Sequence, residues 1–173
     1  MDLKITLKSQ LYALRELIII SIVYFGLLYL LYSNTELDLF KVLFLSTFAF
    51  YFIVFLLPVM VLHINYLNNS YKQLSIEQNK LTINNTVYTE NEIDKIKIYA
   101  TSQHFSDSVG VSALPYNDYY YYIRVDLKNG EKINLSSLID YKIDKIITEN
   151  FKSIKIDKNS SSFVSLLIIK SYR

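Results

Sequence analysis

The stretch that decides the fold is Val42 to Leu62, VLFLSTFAFYFIVFLLPVMVL, whose only polar side chains are Ser46, Thr47 and the hydroxyl-bearing Tyr51. At a helical rise it extends about 31 Å, the thickness of a bilayer's hydrocarbon core. A helix apolar on every face has no use in a small soluble domain, so the stretch predicts a membrane-crossing helix over about 42–64. Working backwards, the link SNTELDLFK separates it from a second apolar run, LIIISIVYFGLLYLLY, at 17–32. With Ser9 as N-cap, a helix from Gln10 to Tyr32 would be about 35 Å long and would also span, holding Arg15 and Glu16 at the membrane surface. Gly26 would permit a close helix contact. The run is too long for a secretory signal and is not followed by a small-residue cleavage site. Two spans joined by so short a link form a hairpin.

Charge sets its direction. Lys4, Lys8 and Arg15 precede the first span and Lys72 and Lys80 follow the second, whereas the link carries Glu36, Asp38 and Lys41. The Lys/Arg bias predicts a multi-pass protein of the cell (inner) membrane with both termini in the cytoplasm. Beyond the spans, Pro58 predicts a local distortion of the second helix. His63, Tyr66 and Tyr71 are placed at headgroup depth, and Asn65, Tyr66, Asn68 and Asn69 close the helix.

From Tyr71 the apolar period changes from helical to two. QLSIEQ and KLTI flank a turn at Asn79, and Asn84-Asn85 predicts a tight hairpin into TVYT. Ile93, Ile96 and Ile98 mark a fourth strand. TSQHFSDSVGVSALPYND, at 101–118, is one long polar loop. YYYYIRVDL then alternates, with Tyr119, Tyr121, Ile123, Val125 and Leu127 on one face and Tyr120, Tyr122, Arg124 and Asp126 on the other. Asn129-Gly130 predicts a type I′ turn into EKINL. Ser137 with Asp140 suggests a capping box for a closing helix. Its apolar stripe is Ile139, Ile143, Ile146, Ile147 and Phe151, and its solvated side is Lys142, Lys145, Lys152, Lys155 and Lys158. Phe163 to Ile169 is too short to span and is expected as an added strand or a membrane-lying segment. The short alternation DLKITLK at the N-terminus also has strand period.

This order divides the chain into a segment with the hairpin at 1–66, a cytoplasmic domain at 67–158 and a tail at 159–173. It resembles the bacterial pleckstrin-homology-like (PH-like) membrane proteins, in particular the YcxB-like group. The residues that carry the likeness are LTINNTVYTENEIDKIKIY at 81–99, YYYYIRVDLKNGEKINLSSL at 119–138 and the helix to Phe151. The resemblance implies an α+β fold: a two-helix transmembrane hairpin, then a PH-like antiparallel β-sandwich or partly open barrel capped by the C-terminal helix. Six strands are evident where that fold has seven, so the seventh comes from the N-terminus, the tail or the long loop. The first hairpin carries one basic residue, Lys80, where phosphoinositide-binding members carry several, so phosphoinositide is not the expected ligand.

Chemistry is sparse. Cysteine is absent, which removes disulfides, thiolate nucleophiles and zinc ribbons. With three glycines the chain has no phosphate-cradling loop. Charges between Lys72 and Arg173 are nearly balanced, which excludes a basic nucleic-acid face. His104 with Asp107 sketches a metal or acid/base pair, outweighed by an ordinary solvated loop. The tyrosines at 119–122 sketch a base-stacking platform, outweighed by core and edge packing. Sequons at Asn68, Asn84, Asn134 and Asn159 would face the cytoplasm and stay unmodified. No catalytic, cofactor-binding or metal residue emerges, and no cofactor is implied. The expectation is a membrane-anchored, non-enzymatic interaction module, its partners the bilayer and a protein or a second copy of itself. The alternative is a module that binds or senses anionic lipid at the inner leaflet, using the helix lysines and the tail.

Overall fold

In a computed structural model, which describes residues 1–105, 119–160 and 164–169, the chain opens with strand β1 (Asp2–Lys4). Two antiparallel helical arms follow. The first is α1 (Leu7–Asn34). The second is continuous through α2 (Leu37–Tyr51), a widened π-helical turn (Phe52–Leu56) and α3 (Leu57–Asn69). Next come β2 (Gln73–Glu77), β3 (Lys80–Ile83), β4 (Thr86–Thr89) and β5 (Ile93–Ala100), then the single turn α4 (Ser102–Phe105). The chain ends with β6 (Tyr122–Leu127), β7 (Lys132–Ser136), helix α5 (Ile143–Asn150) and β8 (Ile156–Ser160). The strands form two sheets, ordered β1-β2-β3-β4 and β7-β6-β5-β8.

Both arms are long and apolar enough to cross a membrane, and only 11% of each apolar window is buried against the rest of the protein, unlike a core helix. The first starts earlier than Ser9 implies. Thr6 is the N-cap: the Ser9 N–H donates to its Oγ1 (3.1 Å), and the Thr6 N–H donates back to Ser9 Oγ (3.0 Å). Ser9 is therefore the reciprocal partner inside the helix. At Pro58 the distortion takes a definite form. Proline cannot donate to the carbonyl four residues back and its ring crowds it. The preceding turn widens, and the Leu57 N–H reaches the Phe52 carbonyl. The arms touch through Tyr24 stacked on Tyr51 (4.6 Å between centroids) and the Tyr51 hydroxyl on Ser21 Oγ (2.6 Å). Gly26 is not a contact point, because a Cβ there would meet nothing within 4 Å.

The missing seventh strand is the N-terminal one. β1 lies antiparallel to β2, with Leu3 opposite Leu74, so the helical hairpin is inserted between the first and second strands. Hairpin chemistry matches the sequence at two turns. Gln78 and Asn79 (φ 37° and 65°) and Asn84 and Asn85 (φ 48° and 66°) are both left-handed pairs, as two-residue mirror-image turns require. Asn129-Gly130 differs from the type I′ expectation. Gly130 alone is left-handed (φ 88°), and its N–H donates to the Leu127 carbonyl (2.9 Å), so the turn is 127–130 with glycine at the following bulge.

The inner faces of the sheets enclose Leu74, Ile76, Leu81, Ile96, Ile98, Ile123, Val125, Ile133 and Leu135, all buried. Helix α5 closes this core with Ile143, Ile147 and Phe151, each fully buried, and Ile139 joins from the preceding turn. The expected capping box at Ser137 does not form. Residues 137–139 are a turn, Ser137 is buried, and the helix begins at Ile143 with the Lys142 N–H on Asp140 Oδ1 (2.7 Å). The helix also stops at Asn150, before Lys152, Lys155 and Lys158. Those lysines are solvated, but the last two flank or lie in β8, which runs parallel to β5 with Ile156 beside Ile96. That parallel strand is an addition to the antiparallel expectation.

Candidate functional site

Strand β6 separates two cores. Its inward side chains, Tyr121, Ile123 and Val125, belong to the barrel interior. Tyr119, Tyr120 and Tyr122 turn the other way, into a second core built with Ala13 and Leu17 of α1 and Val59, Leu62 and Tyr66 of α3. All four tyrosines are buried, so no stacking platform is exposed. Alternation places Tyr121 correctly but also puts Tyr119 beside it; because the regular strand begins only at Tyr122, Tyr119 instead joins Tyr120 and Tyr122 under the helical arms. His63 and Tyr66 therefore lie inside the protein and not at headgroup depth. The His63 ring sits 3.0 Å, Nδ1 to hydroxyl oxygen, from Tyr120 and is 4% exposed. Tyr66 is fully buried with no hydrogen-bond partner for its hydroxyl. Tyr71 is partly buried against the barrel core, and its N–H donates to the Asn134 carbonyl (3.0 Å). Burial pushes the Tyr119, Tyr120 and Tyr122 hydroxyls up in pKa, and all stay neutral at physiological pH.

Of the tail, Asn159 and Ser160 end β8, and the described residues 165–169 pack on this second core without forming a strand. Leu166 and Ile168 are buried in it. Asn65 clamps the backbone of Ile168, accepting its N–H (2.8 Å) and donating to its carbonyl (3.3 Å). Phe163 lies outside the described residues.

Strand registers define the outer face of the second sheet row by row. Tyr99, Tyr122 and Ser136 make one row, Lys97, Arg124 and Asn134 the next, and Lys95, Asp126 and Lys132 the third. The tyrosine row is covered by α3: Tyr66 packs edge-on to Tyr122 (6.3 Å), and Ser70 Oγ lies 2.9 Å from Ser136 Oγ. Of the charged rows, Arg124, Asn134 and Lys132 line a groove of about 740 Å³ between β7, the end of α3 and Leu167–Ile169. Arg124 occupies its floor. Its guanidinium carbon lies 5.2 Å from the Tyr99 ring centroid, and Tyr99 itself stacks on Tyr122 (4.7 Å). Its Nε is 3.0 Å from Asp126 Oδ1, close enough to pair but not aligned as a hydrogen bond, and Lys97 shares the same carboxylate (3.5 Å). The sequence alternation put Arg124 on this face, but nothing local signalled a groove, because its far wall comes from α3 and the tail.

The His104–Asp107 pair has a different partner. His104 Nε2 meets Asp144 Oδ2 at 3.1 Å, and the one hydroxyl proton of Tyr121 is shared between Asp144 Oδ1 (3.0 Å) and the Tyr141 carbonyl (2.6 Å). Asp107 lies outside the described residues. Burial alone would raise the Asp144 carboxyl, but hydrogen bonds from His104, the Lys145 N–H and Tyr121 hold it below the usual carboxylate range. The His104 ring lies 4.3 Å from that of Tyr121. The cluster ties α4 to α5 across the barrel end and offers no nucleophile. Among the described residues no group of three or more His, Asp or Glu could hold a metal ion.

Two bent sheets closed at one end by a helix are the architecture implied above, and residues 3–148 match the family model described as PH domain. The chain belongs to the PH-domain family. The match runs from β1 through α5, so the helical hairpin is an insertion within the PH domain. No curated protein and no solved structure matches the chain. PH domains are interaction modules for proteins or lipids and are generally not enzymes. Lys80 stands exposed on the first hairpin, and the sequon asparagines lie in α3 (Asn68), a turn (Asn84), β7 (Asn134) and β8 (Asn159).

Proposed function

We propose that this protein is a membrane-anchored, non-enzymatic PH-type module of the YcxB-like kind, which binds a protein partner or a second copy of itself at the cytoplasmic face. In this reading residues 1–66 supply the membrane hairpin and lend β1 to the domain, 67–158 form the cytoplasmic body and 159–173 the tail. The supporting observation is the mounting. Only Ile5-Thr6 and Ser70–Lys72 join the arms to β1 and β2, and the two connectors are themselves tied by the Ile5 N–H on the Lys72 carbonyl (2.9 Å). A PH domain so fixed presents its second sheet and groove in one orientation. The lipid reading draws on the exposed Lys142, Lys145 and Lys152 beside α5.

The test uses the full chain in its own membrane. Tags at either terminus should be protected from protease in sealed cells, and a label at Thr35 should be reachable from outside; an accessible C-terminus would reverse the topology. A photo-crosslinking amino acid at Lys132 should then yield adducts with protein, either another species or the chain itself. Adducts with lipid alone would favour the lipid reading.

A further inference from the structure

Among the described residues, no contact engages the terminal nitrogens of Arg124. Its guanidinium carbon lies over the Tyr99 ring, its Nε faces Asp126, and that contact uses neither terminal nitrogen. A guanidinium fixed this way keeps its two-pronged edge for a planar carboxylate. Outward positions of β5–β7 add Lys95, Lys97 and Lys132 against the one carboxylate of Asp126. On the neighbouring β8, Asp157 is engaged by Lys155 (3.2 Å), and at the turn Glu131 is bonded to Asn129. Lys95 also lies 3.9 Å from Asp94 and Glu131 shares the groove's lining, while Lys132 has no carboxylate partner among the described residues. The Asn134 amide lies directly opposite Arg124, and Asn68 and Asn69 face it from the groove's other wall. Tyr71, Tyr88 and Tyr99 add aromatic surface.

Resting on the interaction-module reading, we propose that this groove receives an acidic, extended segment of a protein partner, with a Glu or Asp carboxylate of that segment seated on the terminal nitrogens of Arg124 and flanking carboxylates near Lys132 and Lys97. The PH fold supplies only the sheet; the groove exists because the inserted arm and the tail wall it in.

The experiment reads fluorescence anisotropy of a fluorescein-labelled decaglutamate peptide against the full chain in phosphatidylcholine nanodiscs. Saturable binding is expected. Arg124→Lys keeps the charge but loses the fork, and should weaken binding about tenfold, the loss of one charge-assisted pair. Lys132→Gln, at an exposed position, should weaken it about threefold, a fraction of that pair. Lys80→Gln, on the other sheet, should leave it unchanged. An unchanged near-UV spectrum shows that Arg124→Lys is folded, and Lys132→Gln tests the groove independently. No saturable binding, an Arg124→Lys variant equal to wild type, or an equal loss in Lys80→Gln overturns the proposal. So does native mass spectrometry in which anionic lipid is retained by wild type and lost with Arg124→Lys, which would give the fork to a headgroup. If the peptide fails while Lys132 still crosslinks to protein, the acidic ligand is wrong and the module reading stands.

Discussion

The two cores that share strand β6 are made of different material. The barrel interior is aliphatic, filled by Ile, Leu and Val with Tyr121 and Phe151 at its end. The second core, between the sheet's outer face and the helical arms, is dominated by Tyr66, Tyr119, Tyr120 and Tyr122. An aliphatic core depends on shape and apolar area alone, whereas each buried tyrosine brings a hydroxyl that must find a partner. The barrel core should therefore respond to lost volume and the second core to lost hydrogen bonds. Substitutions that separate these responses test the division.

The largest effect is expected in the barrel. Ile143 is fully buried at the start of α5, and Ile143→Ala should cost about 2–5 kcal/mol. Lys145→Ala, exposed on the same helix, should cost under about 0.5 kcal/mol. Denaturation of the full chain in detergent, followed by near-UV circular dichroism, measures both. Equal effects would mean that α5 does not close the barrel.

Next comes the polar contact of the second core. Tyr120→Phe removes the hydroxyl from a site where His63 is almost wholly buried, leaving its ring nitrogen unsatisfied at a cost of about 1–3 kcal/mol. In a double-mutant cycle with His63→Leu, most of that cost should disappear, since the orphaned nitrogen is then gone. Additive losses would show that the two side chains are not coupled.

Gly130→Val comes third. At φ 88° a β-branched residue is strained, so the loss should exceed about 1 kcal/mol, by the same denaturation measurement. The placement of that strain separates what local sequence shows from what it does not. Left-handed pairs at Asn84-Asn85, the alternation of Ile96, Ile98, Ile123 and Val125, and the stripe of Ile143, Ile147 and Phe151 all follow from short-range pattern. The turn at Asn129-Gly130 was found, but its type depends on strand register, which the dipeptide does not set. His63 and Tyr66 were misplaced for a deeper reason: a helix apolar on every face has no stripe, so its sequence cannot distinguish lipid from protein as its neighbour. β8 stayed hidden because a parallel strand takes its partner from about sixty residues away. The groove was illegible for the same reason, with Arg124 on its floor and Asn68 on a wall about fifty-six residues away in the chain.

A smaller effect should appear in acid. Asp144 has a depressed pKa in the folded protein, so its contribution to stability is full above its unfolded value, about 3.9, and is lost as pH falls through the lower folded value. Asp144→Asn should flatten that part of the stability–pH curve. A curve that keeps the same acid slope in the variant would assign the loss to other carboxylates.

The smallest change sharpens the comparison most. Tyr66 is as buried as Tyr120 and packs edge-on against it, with ring centroids 5.7 Å apart. Of these two, Tyr120 has a partner for its hydroxyl, whereas that of Tyr66 has none among the described residues. A buried hydroxyl without a partner keeps its desolvation cost with no hydrogen bond to offset it. Tyr66→Phe preserves the ring and its edge contacts with Tyr120 and Tyr122 while deleting only that hydroxyl. The variant should therefore be neutral or more stable by up to about 1 kcal/mol, the opposite sign to Tyr120→Phe in the same core. A destabilisation of Tyr66→Phe as large as that of Tyr120→Phe would mean that an internal water or a bound polar group meets the Tyr66 hydroxyl.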